Sequence, residues 1–146
     1  MIYKQGNIFL TDLTNCILPH QTNNLGLMGA GFVVPLLKKF PKACQVYLDT
    51  FDQYKLGDVI FVEEKSTVIA HMFGQNGLIG KNNPHPTDYT ALRKCLQQVA
   101  KYAKKTGLPI KTIKFSCGLG GASCDVVESI IKDEWKDLDV TIYILE

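Results

Sequence analysis

The chain has 146 residues, enough for one compact domain with its own core and too few for two ordinary ones. Hydrophobic residues make up 46% and charged residues 21%, a globular balance that excludes a disordered chain. A net charge of +2 gives no reason to expect a nucleic-acid backbone as partner, whereas a small anion held by main-chain dipoles stays open.

In chain order, "MIYKQGNIFL" lacks a charged head before a long apolar run, so no signal peptide is expected. No apolar stretch is long enough to span a bilayer, and no membrane association is expected. "NIFL" and "NCILPHQ" read as strands. A helix follows that carries Val33, Leu36, Leu37 and Phe40, with Pro35 in its first turn or two, and "KACQVYLDTFDQY" is a further helix. "DVIFVEE" and "TVIAHMF" are nearly continuous apolar runs, as buried central strands are. "TDYTALRKCLQQVAKYAKKTG" is the clearest helix, with Leu92, Cys95, Leu96, Val99 and Ala103 on one face. Thr87 or Asp88 would cap its start and Gly107 its end. "IKTIKFS" is a strand, and "CDVVESIIKDEW" is a helix with Val126, Val127, Ile130 and Ile131 inward. "VTIYIL" closes the chain as a strand.

Helices interleaved with buried strands predict an α/β fold: a three-layer α/β/α sandwich, residues 1–146 forming one domain around a mixed, mostly parallel sheet. The five cysteines, Cys16, Cys44, Cys95, Cys117 and Cys124, are odd in number and form no CxxC pair. They predict buried thiols in a reducing cytoplasm, with neither a disulfide framework nor a zinc site.

In such sheets ligands bind where loops leave the carboxyl ends of strands. Two loops qualify: "HQTNNLGLMGAGF" and "SCGLGGASCDVV". Glycine lets a ligand approach the main chain, and successive free N–H groups near a helix start form a phosphate site. Each loop alone reads equally well as a strained turn. Neither is a Walker loop or a clean GxGxxG, which disfavours a nucleoside triphosphatase and a Rossmann dehydrogenase.

Taken together, "KQGNIF", "HQTNNLGLMGAGF…KKFP", "LGDV", "HMFGQ", "TDYTALRKCL", "CGLGGAS" and "VTIYIL" resemble a macrodomain, the family that recognises ADP-ribose and its derivatives. Within it the chain is most similar to the branch of the terminal ADP-ribose protein glycohydrolase and the ADP-ribose-1''-phosphate phosphatase. By position, the resemblance implies that Asn23 and Asn24 face the distal ribose. Gly29, Ala30 and Gly31 would offer N–H groups to phosphate, as would Gly118, Leu119, Gly120, Gly121 and Ala122, with Ser123 beside them. Asn7, next to Ile8, stands where the family has an Asp that accepts from the adenine amino group, and Tyr143 lines the nucleoside end.

The glycohydrolase branch's Lys falls near Gly74 or Gln75 and its Asp near Gly120, so a lysine–aspartate mechanism is not expected. His20 reads either as a general base or as a structural imidazole beneath the first loop. His71 reads as core, and Asp125 as a helix-start acid favoured by the dipole. Cys117 reads as a small buried thiol rather than a nucleophile, and Ser123 as an N-cap. The segment from Gly74 to Pro86, with Lys81, is either a lid or a solvated connection.

The function expected from the resemblance is binding of an ADP-ribose derivative, free or on a modified protein. Hydrolysis at the distal ribose by His20, Asn23 and Asn24 would need no metal or cofactor. The competing expectation is a module that sequesters or reads the same ligand without turnover. Nucleic-acid binding through Lys38, Lys39, Lys101, Lys104 and Lys105 is not expected, since these look like solvated helix faces.

Overall fold

The computed structural model describes residues 1–145. Six strands form one sheet: β1 (Ile2–Gln5), β2 (Cys16–Asn23), β3 (Val59–Glu64), β4 (Thr67–Gln75), β5 (Ile110–Ile113) and β6 (Val140–Ile144). Their order is β1-β6-β5-β2-β4-β3, with every neighbouring pair parallel except antiparallel β3 and β4. Four helices cover it: α1 (Val33–Lys39), α2 (Pro41–Thr50), α3 (Tyr89–Thr106) and α4 (Cys124–Glu134).

The period-2 geometry of the strands sorts their side chains into two cores. Ile17, Val68, Ala70 and Met72 face α3 and α4, while Cys16, Leu18, Ile69 and Phe73 face α1 and α2. These two cores on opposite faces of the sheet are the expected sandwich. β4 is buried along its whole length, which is why "TVIAHMF" is apolar without alternation.

Local chemistry sets the helix ends. The Asp88 carboxylate accepts from the Ala91 N–H at the start of α3, and Gly107 closes the helix in the left-handed conformation. Pro41 opens α2, whose Ala43 N–H is capped from the sheet by the nearly buried Glu64 carboxylate. Pro35 sits within the first turn of α1.

Two expectations are corrected. "NIFL" is not a strand: Asn7 accepts from the Phe9 N–H, and Thr11 bonds back to the Ile8 carbonyl, winding Ile8–Leu10 into a 3-10 turn. The strand lies just before it, at Ile2–Gln5, an exposed edge strand with no apolar alternation to announce it. On α4, Val127, Ile130 and Ile131 are buried, but Val126 turns to solvent. Among the described residues no helix is long and apolar enough to cross a membrane.

Candidate functional site

Parallel neighbours β2 and β5 send their chains to opposite faces, β2 into α1 and β5 into α4. The two glycine loops therefore diverge above adjacent strand ends and leave a crevice, as open α/β sheets do at such a switch point. A cleft of about 530 Å³ lies there, walled by Met28–Phe32 from the first loop and by Gly118, Leu119 and Gly120 from the second. A second hollow of about 410 Å³ adjoins it, lined by Asn7, Ile8 and Tyr143, and the two share Gly31, Phe32, Ile113 and Lys114.

The first loop is pinned from within by Asn23. Its side-chain oxygen accepts from the Leu25 and Leu27 N–H groups and from the buried Tyr47 hydroxyl, while its amide donates to the Leu27 carbonyl. Gly31, with φ near +75°, brings the loop against Leu119 of the opposite wall. The N–H groups of Gly29, Ala30 and Gly31 have no partner among the described residues.

The second loop rests on a buried polar cluster. Ser116 donates to the Gln21 side-chain oxygen at 2.6 Å, and the Gln21 amide donates to the Thr87 hydroxyl at 2.9 Å. That hydroxyl in turn donates to the Gly120 carbonyl at 2.7 Å. Gln75 joins from β4.

His20 forms the cleft floor and is 1% exposed. It stands in register with His71 on the neighbouring strand, its Nε2 lying 2.8 Å from His71 Nδ1. His71 Nε2 in turn lies 2.9 Å from the Ala43 carbonyl. Burial, and then the adjacent His71, hold the His20 pKa well below the usual imidazole value. Burial lowers His71 to about 4, against the opposing pull of the Ala43 carbonyl. Both rings are therefore neutral at physiological pH.

No protein-family model matches the chain, and no curated protein matches it. Solved structures do. A Bacteroides thetaiotaomicron protein is 30% identical, the match covering 97% of this chain and 96% of that one at a TM-score of 0.89. A macrodomain protein from Streptomyces coelicolor is 27% identical, covering 98% of this chain and 97% of that one at 0.82. This chain has the macrodomain fold. A third relative, Thermosipho africanus DarTG solved in complex with ADP-ribose, shares the fold. It is 18% identical over 99% of this chain and 42% of its own, with a TM-score of 0.80.

In this macrodomain fold most of the residues singled out from sequence line one cleft or the adjoining hollow, with exceptions. Asn24 does not line the cleft: its amide donates to the Asn76 side chain and its oxygen accepts from the Gly77 N–H, bracing the next loop. Gly121, Ala122 and Ser123 are likewise off the wall. Their N–H groups donate to the Gly118 carbonyl, the Ser116 carbonyl and the Tyr89 hydroxyl, which closes the turn and removes them as phosphate donors. Of the second loop, Gly118, Leu119 and Gly120 keep free N–H groups. Ser123 occupies the N-cap position of α4 without a side-chain cap bond.

Cys117 is not a buried thiol. It is half-buried and joined to exposed Cys124 by a disulfide that spans the loop, correcting the expectation of five free thiols, while Cys16, Cys44 and Cys95 are buried and free. Lys81 is exposed and off the cleft, and His85 instead contacts the Gly121 carbonyl.

Sequence reasoning missed Lys114, Phe32 and the Gln21–Ser116–Thr87 cluster. Lys114 is the one Lys or Arg on either cavity wall among the described residues, and it stands where the two hollows meet. Phe32 stacks on Phe9 at that same junction, with centroids 5.1 Å apart. Nothing in a single Lys or Phe codon marks such a position. It arises from the convergence of β5 with the first loop.

Proposed function

We propose that this macrodomain binds ADP-ribose or a derivative of it and hydrolyses a group held at the distal ribose. The observation that carries the reading is the pair of facing amide sets, Gly29–Gly31 and Gly118–Gly120, on either side of a cleft floored by His20. Converging free N–H groups suit a diphosphate, because they supply positive dipole ends without a counter-charge that must be desolvated. The hollow at Asn7, Ile8 and Tyr143 suits the nucleoside, and Lys114 at the junction adds a cation beside the phosphates. The DarTG complex with ADP-ribose supports the choice of ligand within this fold.

For chemistry the wall offers little acid or base. A neutral His20 orients a hydroxyl or water by accepting its hydrogen bond, and the ligand's own groups take up the proton as water attacks. The bond broken joins the distal ribose to its phosphoryl, acyl or carboxyl substituent. Water supplies hydroxide to one fragment and a proton to the other. The second reading is binding without turnover, favoured by the neutrality of His20 and by the lack of the branch's Lys near Gly74 or Gln75 and of its Asp near Gly120.

The test is mass spectrometry after mixing stoichiometric protein with ADP-ribose-1''-phosphate or O-acetyl-ADP-ribose. Release of free ADP-ribose, abolished in His20→Ala while that variant still binds the ligand, though more weakly, is the expected result. Intact ligand recovered from the denatured complex would establish the binding-only reading, and no ligand retained by either protein would sink both.

A further inference from the structure

The imidazole pair beneath the cleft specifies its own proton positions. The Ala43 carbonyl can only accept, so His71 Nε2 carries a proton. A neutral His71 then has a bare Nδ1. The 2.8 Å contact with His20 Nε2 requires one proton between the two nitrogens, which must therefore sit on His20. His20 Nδ1 is left with a lone pair and no proton. It is also the one buried side-chain nitrogen or oxygen without a hydrogen-bond partner among the described residues. The Gln21 main chain approaches the ring and opposes the fall in its pKa, yet Nδ1 has no hydrogen-bond partner. His20 lines the cleft, and a buried acceptor left without a partner there is costly and is relieved by a donor.

We propose that His20 Nδ1 is the specificity-determining acceptor of this cleft, that the bound group against it must be a hydroxyl or N–H donor, and that His71 is the positioning residue that keeps this nitrogen bare. The inference rests on the ADP-ribose reading and narrows it. The distal ribose seats a free hydroxyl on His20, so a phosphate monoester or carboxylate, which has only lone pairs to present, is excluded from that point. Such an anion must leave the cleft toward the free amides of the glycine loops or toward solvent. Phe32, tilted over His20 with centroids 6.0 Å apart, limits what can be placed there.

Two measurements test this on the full chain. The first is a long-range proton–nitrogen spectrum of the nitrogen-15-labelled protein, with His20, His71 and His85 assigned by single substitution. Both His20 and His71 are expected as neutral rings protonated at Nε2, and His20 Nδ1 is expected to shift towards a hydrogen-bonded acceptor when ADP-ribose is added. A His20 proton on Nδ1, a doubly protonated ring, or an Nδ1 signal unmoved by bound ADP-ribose overturns the proposal. In His71→Leu, shown folded by its amide spectrum, the His20 proton should spread over both nitrogens. If it stays on Nε2, His71 does not position it.

The second is calorimetry with ADP-ribose and with ADP, which lacks the distal ribose. His20→Phe keeps a buried ring without an acceptor, and should weaken ADP-ribose by about tenfold while leaving ADP within about twofold. Equal losses for both ligands, or none, would refute the assignment. If the wild-type chain binds neither nucleotide, the ADP-ribose reading fails, and the imidazole spectrum still decides the tautomer.

Discussion

Gly120 and Gly29 look alike in the sequence, each a glycine in a glycine-rich loop, yet the structure asks different things of them. Gly120 has no positive φ; it is needed because a Cβ there would lie 2.5 Å from the Ser116 carbonyl and 2.8 Å from both the Gln21 amide and the Thr87 hydroxyl. A methyl group cannot enter without breaking the cluster that holds the second loop. Gly29 faces open space. Gly120→Ala is therefore expected to cost about 1–3 kcal/mol in urea unfolding and to weaken ADP-ribose by about tenfold, whereas Gly29→Ala stays within about 0.5 kcal/mol of wild type in stability. Equal stabilities for the two variants would show that the polar cluster does not govern the loop. Asn23 carries a similar lesson. The family resemblance places it at the distal ribose, and in the structure three of its hydrogen bonds go to the loop itself and a fourth to Tyr47.

Helix α4 starts at Cys124, one partner of the disulfide, so the second loop is tied to that helix through a covalent bridge as well as through its hydrogen bonds. The bridge closes a separation of seven residues across Cα atoms 5.4 Å apart, a span that a disulfide accommodates. For so short a loop the chain-entropy account assigns about 2–3 kcal/mol. Alkylation of the denatured, unreduced chain should label three cysteines, rising to five after reduction, and Cys124→Ser should lower stability by about that amount. Five labels without reduction would show that the bridge does not form. The alternation of "VTIYIL" and the long apolar run of "TVIAHMF" identified their strands directly, because sheet packing imprints them. The edge strand Ile2–Gln5, exposed along its length, bears no such imprint and was not legible.

Two neutral imidazoles packed between the sheet and α2 make the stability of the fold depend on pH. Their folded pKa values lie below the ordinary value of about 6.5, so the unfolded chain binds more protons than the native one wherever pH lies between the two. The stabilisation is thus complete above about pH 6.5 and is lost as pH falls; for His71 the loss continues to about pH 4. Each imidazole contributes a slope of about 1.4 kcal/mol per pH unit in that window. Urea midpoints measured near pH 7.5, 6.5 and 5.5 should be level between the first two and drop at the third. A flat profile through about pH 5.5 would mean that the rings are not held neutral inside the fold.

The amino-acid sequence already carried the alternation of strands and helices, the α/β sandwich, the two glycine loops and the family likeness, because these depend on local periodicity and on short contiguous motifs. It did not carry the partners of those motifs. That Asn24 braces a neighbouring loop, that Gly121 and Ala122 spend their amides on their own turn, that Cys117 meets Cys124, and that His71 contacts His20 are facts of groups brought together by the fold. The residues of such pairs lie 3 to 53 positions apart in the chain. No local pattern encodes a hydrogen bond across strands, since its geometry exists only once the sheet has set the register.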